Sequence, residues 1–435
     1  MHDIRDIRAN PERYFQGLRR RGEPVALEPL LELDRQRREG VTALDQMRQT
    51  RNSVSKEINA IKKSSGDSSC LETQMRELGE RIKSTETCER NLDNKIRELL
   101  LVLPNLPSDS TPDGAGSEGN VVVREVDGVV PMGGSLLDHL QLADHLEILD
   151  FKRGAKVAGS GFPVWSGWGA LLERALINFM LDLHTKEHGY TEMMTPLLAS
   201  YTSMLSSGQI PKLEADMYRC RRSEKDEGSE DDLFLIPTSE VTLVNLHRDE
   251  ILDGRRLPLK YAAYSPCFRR EAASYGHMTR GFLRVHQFNK VELVRFEKPE
   301  TSIEALEELV FQAEEVLRRL ELKYRVIELC SGDMGFNAAK CYDLEVWAPV
   351  EKQWLEVSSC SNCEAFQARR AGIKFRPRGG GKTDYVHTLN GSGVATSRLI
   401  VALLETYQTD ERTLMIPSVL RSYMRGMTQI CKPSD

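Results

Sequence analysis

The residues best suited to chemistry are charged side chains on two strand-like segments that flank a polar loop. Arg269 and Glu271 end the first segment, and Arg284, Phe288 and Glu292 lie on the second. Residues two apart on a strand share a face, so these segments predict a sheet face that carries cations and carboxylates. Arginine matches phosphate oxygens, glutamate can accept from an adenine amino group, and phenylalanine offers a stacking plane. The pattern indicates a nucleotide site, although an ion-pair lattice on an exposed hairpin would use the same residue types.

A second candidate is a glycine turn between a strand and an apolar helix. Residues 389–398 read LNGSGVATSR and are followed by LIVALLETY. Glycines let a backbone approach a ligand closely, and Arg398, in the first turns of the helix, can point toward that ligand. Taken alone, the run also fits a packed helix start.

The cysteines do not form a recognisable framework. There are nine of them, an odd number, and the one close pair, Cys360 and Cys363, has no second pair at finger spacing. We therefore predict neither a disulfide scaffold nor structural zinc, and we expect a reducing, cytosolic protein. The apolar stretch 170–183 contains Glu173, Arg174 and Asp182, which argues against a membrane role.

Residues 30–101 show apolar positions at spacings of three and four, which predicts two helices with heptad seams. The seams comprise Leu30, Leu33, Leu44, Met47, Val54, Ile58 and Ile61, then Leu71, Met75, Leu78, Ile82, Leu92, Ile96 and Leu99. The polar run 64–69 is typical of a tight tip, so we expect an antiparallel coiled-coil hairpin. Each arm of about 32 residues would extend roughly 50 Å. Arginines and lysines are frequent on the first arm, which suits either an RNA contact or a solvated surface.

Composition divides the chain after this hairpin. Residues 1–103 are expected to form an N-terminal domain, and residues 104–120, rich in Pro, Gly, Ser and Asp, are expected to form a linker. Residues 121–435 mix helices with long strand-like runs that do not alternate regularly with them. That mixture predicts an α+β domain on a mainly antiparallel sheet flanked by helices. The net charge of -6 implies that any RNA contact is local.

Three segments carry a resemblance to a known family. Residues 189–198 (GYTEMMTPLL), 268–292 and 391–404 resemble motifs 1, 2 and 3 of the class II aminoacyl-tRNA synthetases. Within that class the chain is most similar to the seryl-tRNA synthetase family, over nearly its whole length. The likeness includes the basic hairpin, FLIPTSE at 234–240, EVSSCSN at 356–362 and FQARR at 366–370.

This resemblance implies sites for ATP and for serine. It assigns the α-phosphate to Arg269, the adenine to Glu271, and the two faces of the ring to Phe288 and Arg398. The implied ATP contacts are Arg269, Arg270, Glu271, Val285, Phe288, Glu356, Val357, Ser358, Ser359 and Arg398. The implied serine contacts are Thr238, Ser239, Glu240, Glu292, Asn390 and Ser392. Glu356 and Ser359 are implied to hold Mg²⁺, and Arg269, Glu356 and Arg398 to act in catalysis.

The implied activity is ATP-dependent activation of L-serine to seryl-adenylate and transfer of the seryl group to tRNA(Ser), with tRNA(Sec) as a second candidate acceptor. Residues 1–103 are implied to bind the tRNA, and motif 1 is implied to form a homodimer. Two alternatives stay open: a ligase that loads a small amino acid onto a carrier protein, and a non-catalytic RNA-binding protein built on the same fold. The hairpin is the feature that carrier-protein ligases lack.

The chain departs from the family pattern at three positions. Ser239 stands where the family commonly has alanine, Ser397 where motif 3 often has glycine, and Ala273 where motif 2 usually has glycine. None of these changes removes a charged group that would contact a ligand. They affect the expected flexibility of the loops and leave the expected reaction unchanged.

Overall fold

The computed structural model describes residues 1–22, 27–131, 136–221, 232–272 and 281–433, and the chain divides into two compact units. The first unit comprises residues 1–19 and 23–104, and the second comprises residues 20–22 and 105–435. Ala273 and the rest of 273–280 fall within motif 2 but outside the described residues.

Four helices precede residue 104: α1 (Ile4–Ala9), α2 (Pro11–Arg20), α3 (Glu28–Lys63) and α4 (Ser69–Val102). Helices α3 and α4 pack through the seam residues Leu44, Leu78 and Ile82. At the tip, the Gly66 N–H donates to the Ile61 carbonyl oxygen at 3.0 Å. The helical hairpin expected from the heptad pattern is confirmed.

Two irregular positions of the seams face each other. Gly40 interrupts the first seam and Glu89 the second, and a Cβ atom at position 40 would collide with the Glu89 carboxylate. Burial and the neighbouring Asp93 carboxylate raise the pKa of Glu89. Glycine at position 40 therefore makes room between the helices for a side chain that an ordinary seam would exclude.

The second unit is built on a large sheet. Its strands, numbered in chain order, are β1 (Val121–Val126), β4 (Thr191–Glu192), β9 (Leu259–Phe268), β10 (Gln287–Glu297), β11 (Tyr324–Glu328), β12 (Lys340–Ala348), β13 (Gln353–Asn362) and β16 (His387–Ala395). The strand order is β1-β11-β12-β13-β16-β10-β9-β4. Only β4 pairs with its neighbour in parallel, so the expectation of a mainly antiparallel sheet is confirmed.

Shorter strands form four small sheets around it. They are β2 (Leu149–Asp150) with β3 (Val164–Trp165); β5 (Leu198–Ser200) and β6 (Arg219–Cys220) with β7 (Leu233–Leu235); β8 (Ile251–Asp253) and β15 (Asp384–Tyr385) with β14 (Lys374–Arg376); and β17 (Leu414–Met415) with β18 (Gln429–Ile430). The sheet of β8, β14 and β15 leads directly into β16, because one residue separates β15 from β16.

Helices cover both faces of the large sheet. They are α5 (His139–His145), α6 (Phe151–Ala158), α7 (Gly167–Lys186), α8 (Tyr201–Ser206), α9 (Glu240–Asn245), α10 (Ser302–Arg319), α11 (Phe366–Ala371) and α12 (Thr396–Thr406). The main core joins α7, α10 and α12 to the sheet face that carries Val291 and Leu293. On the opposite face, α9 and α11 pack near Val294. Among the described helices, none combines the length and the hydropathy needed to cross a bilayer.

The segment 105–120, whose composition predicts a linker, is packed within the second unit. Asn105 is buried, and its Nδ2 atom donates to the carbonyl oxygens of Asn337 at 2.9 Å and Cys363 at 3.0 Å. The Thr111 hydroxyl donates to the Ala339 carbonyl oxygen at 2.9 Å. Polar side chains that suggest a solvated spacer thus serve as hydrogen-bond partners for the backbone beside the ends of β12 and β13.

Candidate active site

One cavity of the second unit brings together most of the residues that the motifs point to. Its volume is about 420 Å³. The predicted residues in its wall are Thr238, Glu240, Arg269, Glu271, Val285, Phe288, Glu292, Glu356, Val357, Ser358, Ser359, Asn390, Ser392 and Arg398. Residues from β10, β13, β16, α9 and α12, and from the segment that follows β9, therefore meet at one place.

Strand β10 supplies three neighbouring side chains to the cavity. Phe288, Lys290 and Glu292 lie two residues apart, so the pleat directs all three to the same face. Lys290 Nζ lies 2.6 Å from Glu292 Oε2, and both side chains are buried. A buried carboxylate is costly unless it is paired, and Lys290 provides the pairing cation for Glu292. Glu292 is also directly opposite Ser392 on β16.

Glu240 stands at the first position of α9 and is buried. Its Oε1 atom accepts hydrogen bonds from the side-chain amides of Gln367 at 2.5 Å and Asn390 at 3.1 Å. Burial, and next the Glu292 carboxylate, raise the pKa of Glu240 to about 7. The cavity therefore contains two close carboxylates, of which Glu292 has an adjacent cation and Glu240 has amide donors.

The part of the cavity formed by motif 2 is a network of charge and ring contacts. The Arg269 guanidinium lies over the Phe288 ring, 5.2 Å from its centroid. Arg284 Nε donates to Glu271 Oε2 at 2.7 Å. This part of the wall thus presents a planar ring, a guanidinium and a carboxylate side by side, which suits a ligand with both a heterocycle and phosphates.

Arg398 lies in the first turn of α12, close to the cavity wall formed by β13. Its Nη1 atom donates to the Glu356 carbonyl oxygen at 3.0 Å and to Glu356 Oε2 at 3.3 Å. The helix start directs the guanidinium to the same cavity as Arg269, so two arginines face one space.

A bulge in β13 explains how Glu356 and Ser359, three residues apart, reach the same face. Glu356 pairs with Glu345 and Ser359 pairs with Asp343, with a register shift between these pairs. Because Asp343 and Glu345 are two residues apart on β12, their partners also share a face. Burial, and next the Glu356 carboxylate, raise the pKa of Asp343 well above its usual range.

The glycines of motif 3 have a different role from the one expected. A Cβ atom at position 391 would lie 2.8 Å from Cys360 Sγ, and one at position 393 would lie 2.7 Å from His184 Nε2. Both glycines therefore permit close packing of β16 against the protein's own side chains. The ligand-facing groups of this strand are Asn390 and Ser392.

Two family descriptions match the chain. Residues 1–107 match the seryl-tRNA synthetase N-terminal domain, and residues 218–407 match the tRNA synthetase class II core domain (G, H, P, S and T). The chain is 51% identical over 430 residues to the serine–tRNA ligase of Pelodictyon phaeoclathratiforme, with 98% of each chain covered. It is 48% identical over 430 residues to that of Pelotomaculum thermopropionicum, covering 99% of this chain and 100% of the relative. The chain belongs to the seryl-tRNA synthetase family.

Solved structures of the seryl-tRNA synthetase family have the same architecture. The enzyme of Pyrococcus horikoshii, complexed with ATP, superposes with a TM-score of 0.91 at 36% identity over 100% of both chains. The cytoplasmic enzyme of Naegleria fowleri, in complex with AMP, gives a TM-score of 0.87 at 28% identity, covering 100% of this chain and 99% of the other. As a member of this family, the chain is a class II enzyme that charges tRNA with serine.

Two residues implied by the family resemblance do not line the cavity. The Ser239 side chain is buried, and its hydroxyl donates to the Ser265 hydroxyl at 2.6 Å. Arg270 is exposed, and its backbone N–H donates to the Asp216 carbonyl oxygen at 2.8 Å. Both are neighbours of residues that do face the cavity: Ser239 has a helical backbone conformation at the N-cap of α9, next to Glu240, and Arg270 follows Arg269 after the end of β9.

The cavity also contains residues that sequence reasoning missed in this synthetase. Lys290 could have been found, since it lies between Phe288 and Glu292 on the same strand face. The segment after α8 contributes Gln209, Leu213, Asp216 and Met217, for which no motif or periodicity was available. The remaining missed wall residues are Pro237, Leu283, Ala395 and Ser397.

Proposed function

We propose that the cavity binds ATP beside L-serine and forms seryl-adenylate. Arg269 would hold the α-phosphate, Glu271 the adenine amino group, and Phe288 and Arg398 the faces of the ring. The observation that carries this proposal is the convergence, in one cavity, of three arginines, an aromatic ring and paired carboxylates. The ATP and AMP complexes of the related enzymes support it.

Binding of ATP would exchange contacts that the side chains make with one another. The Arg398 guanidinium would leave Glu356 and cover the adenine, and Glu271 would exchange its contact with Arg284 for the adenine amino group. Arg269 would move from the Phe288 ring to the phosphate. Because each charge already has a partner, the exchange replaces one set of charge-assisted contacts by another and leaves no buried charge unpaired.

The serine site would lie around the two buried carboxylates. Glu240 and Glu292 would bind the ammonium group, and Thr238, Asn390 and Ser392 would bind the other polar groups of serine. Lys290 would pair with Glu292 beside Glu240. Alanine would leave the groups that bind the serine hydroxyl unpaired, at a cost of about 1 to 3 kcal/mol each, and threonine would be excluded by its extra methyl group.

The reaction needs no protein nucleophile. The serine carboxylate attacks the α-phosphorus, and pyrophosphate leaves with the electron pair of the broken P–O bond. A ribose hydroxyl of the terminal adenosine of tRNA then attacks the seryl carbonyl carbon, and AMP leaves. Arg269 and Arg398 would hold the reacting groups in line and neutralise the charge that grows on the phosphate oxygens.

Glu356 and Ser359 would hold Mg²⁺, with the Asp343 carboxyl beside them. The bulge in β13 brings Glu356 and Ser359 to one face, and their side chains offer the oxygen donors that Mg²⁺ prefers. The high pKa of Asp343 fits this role, since a crowded pair of carboxylates stabilises a bound cation. When bound, the ion would offset the charge of the phosphates.

We also propose that the hairpin of α3 and α4 binds tRNA(Ser) through its phosphates and shape, since the hairpin offers arginine and lysine but few aromatic residues. Because such contacts do not read base edges, they do not depend on the tRNA sequence, and we extend the proposal to tRNA(Sec). The division into a tRNA-binding domain, 1–103, and a catalytic domain, 121–435, follows from these roles. The nine unpaired cysteines support a cytosolic location.

Motif 1 would form the dimer interface. Within residues 189–198, Met194 is 96% exposed, and Leu197 and Leu198 are each 40% exposed. Large apolar side chains grouped on a surface are typical of protein interfaces. A second copy of the chain would cover them.

The test is to assay each half-reaction separately. The first assay measures serine-dependent exchange of pyrophosphate into ATP. The second measures transfer of serine to tRNA(Ser) and tRNA(Sec) transcripts, with a carrier protein as a third acceptor. The proposal predicts exchange with serine and charging of tRNA. Exchange without charging of either tRNA, together with loading of the carrier protein, would favour the carrier-protein ligase instead.

A further inference from the structure

A second cavity of the catalytic unit is bordered by a basic loop, defined here as residues 376–382 (RPRGGGK). The cavity has a volume of about 590 Å³. One side is formed by β8 and Arg255, and the other by residues 376–380. None of these residues has a part in the proposed ATP and serine sites.

The cations of the basic loop lack carboxylate partners. Arg376, Arg378 and Lys382 are all exposed, and within the described part of the chain no carboxylate oxygen lies within 4.0 Å of their charged nitrogens. The carboxylate in the cavity wall, Asp253, is already held by Arg255 Nη2 at 2.6 Å. Hydrogen bonds from Arg255 lower the pKa of Asp253 to about 2. The loop therefore presents positive charge that no carboxylate of the described residues neutralises, on a chain whose net charge is -6.

The backbone of the loop allows a ligand to come close. Gly379, Gly380 and Gly381 have φ values of 93°, 89° and 113°, a region that disfavours other residues. Outside each glycine's own chain neighbours, no atom of the residues that the structure describes lies within 4 Å of the Cβ position of any of the three. The glycines are thus needed for the backbone conformation, and the space in front of them is open to a bulky anionic ligand.

The loop is joined to the serine end of the active site through two strands. Strand β15 follows the loop and leads into β16, which carries Asn390 and Ser392. Ser392 is ten positions after Lys382, which places the end of the loop within about 33 Å of the serine pocket at roughly 3.3 Å per residue. A nucleic-acid strand whose end enters the active site can pass a surface at this distance.

We propose that residues 376–382 bind the sugar-phosphate backbone of the tRNA substrate on the catalytic unit, in addition to the hairpin. This inference rests on the proposed function. Polyphosphate backbones bind clustered lysine and arginine with release of counterions, and such contacts fix position without reading sequence. The exposed cations and the open glycine backbone of this loop match that chemistry.

The experiment compares Arg378→Gln/Lys382→Gln with a control of equal charge change, Arg412→Gln/Lys432→Gln, at exposed cations outside both cavities. The loop variant should raise the KM for tRNA at least about fivefold at 0.1 M salt. In this variant the slope of log KM for tRNA against log salt concentration should be smaller by about 1.5 than in the wild type, because two phosphate contacts are lost. Serine-dependent pyrophosphate exchange should stay at the wild-type rate, and the control variant should match wild type in every assay.

A charge-preserving variant, Arg378→Lys/Lys382→Arg, separates charge from loop structure and should keep the wild-type KM and salt slope. The inference is overturned if the glutamine variant charges tRNA with the wild-type KM and salt slope. That result is expected if the loop binds an acidic protein and not tRNA. It is also overturned if the charge-preserving variant is as defective as the glutamine variant. Failure of the wild-type enzyme to charge tRNA would instead contradict the proposed function.

Discussion

The raised pKa of Glu240 predicts that serine binding depends on pH near neutrality. The carboxyl group is buried against Glu292, with amide donors from Gln367 and Asn390. Its pKa is raised from 4.5 to about 7. A shift of this size corresponds to about 3 kcal/mol in favour of the protonated form. The serine ammonium group requires the ionised form, so serine should bind more tightly as pH rises through 7.

The magnitude follows from the fraction of Glu240 that is ionised. Below pH 7 this fraction falls about tenfold for each pH unit, so the KM for serine should be about tenfold higher at pH 6 than on its plateau above pH 8. Stability should change in the opposite direction. Because the folded pKa exceeds the unfolded value, the contribution of Glu240 to stability is complete below pH 4.5 and is lost as pH rises through 7.

The assay is the KM for serine in pyrophosphate exchange, measured at saturating ATP from pH 5.5 to pH 8.5. Glu240→Gln should raise the KM at pH 8 and remove its dependence on pH near 7. Glu173→Gln is the matched control, since Glu173 is also buried with a raised pKa but lies outside the cavity wall. A flat KM profile in the wild-type enzyme, or an unchanged profile in Glu240→Gln, would refute the assignment.

Four further changes test other parts of the account. Arg269→Ala should lower serine-dependent exchange at least about 100-fold by removing charge stabilisation at the α-phosphate, and near-normal exchange would disprove that role. Lys290→Met should cost about 3 kcal/mol in urea unfolding, because Glu292 loses its buried partner, and an unchanged midpoint would contradict the pairing. Glu173→Gln should reduce the loss of stability between pH 5 and pH 8, since the raised pKa of Glu173 makes its ionisation destabilising. Deleting residues 30–100 should spare exchange and abolish charging, and charging that survives would remove the hairpin's role.

Periodic features of the fold could be predicted from the sequence. The spacing of apolar residues predicts the hairpin, because a seam between two helices requires an apolar residue at every turn. The shared face of Phe288 and Glu292 followed from the two-residue period of a strand. These patterns depend only on local geometry, which a sequence displays directly.

Features that depend on register or on distant contacts could not be predicted in this way. The grouping of Glu356 with Ser359 requires the bulge in β13, which no residue spacing indicates. The contact of Glu240 with Gln367 joins residues 127 positions apart. The close approach of Gly393 to His184 depends on how β16 packs on α7.

The resemblance added residue roles but could not establish which side chains face the cavity. Ser239 and Arg270 are neighbours of Glu240 and Arg269, which face the cavity, but the Ser239 hydroxyl contacts Ser265 and Arg270 lies outside the cavity wall. Lys290 was overlooked although it lies on the same face as its neighbours. Orientation therefore has to be read from the structure at each position.

The most direct test of the central claim is ATP–pyrophosphate exchange measured separately with each of the twenty amino acids. The account predicts exchange with serine, with alanine and threonine lower by at least about tenfold, because the cavity places hydroxyl-binding groups beside paired carboxylates. Equal exchange with serine, alanine and threonine, or no exchange with serine, would contradict it.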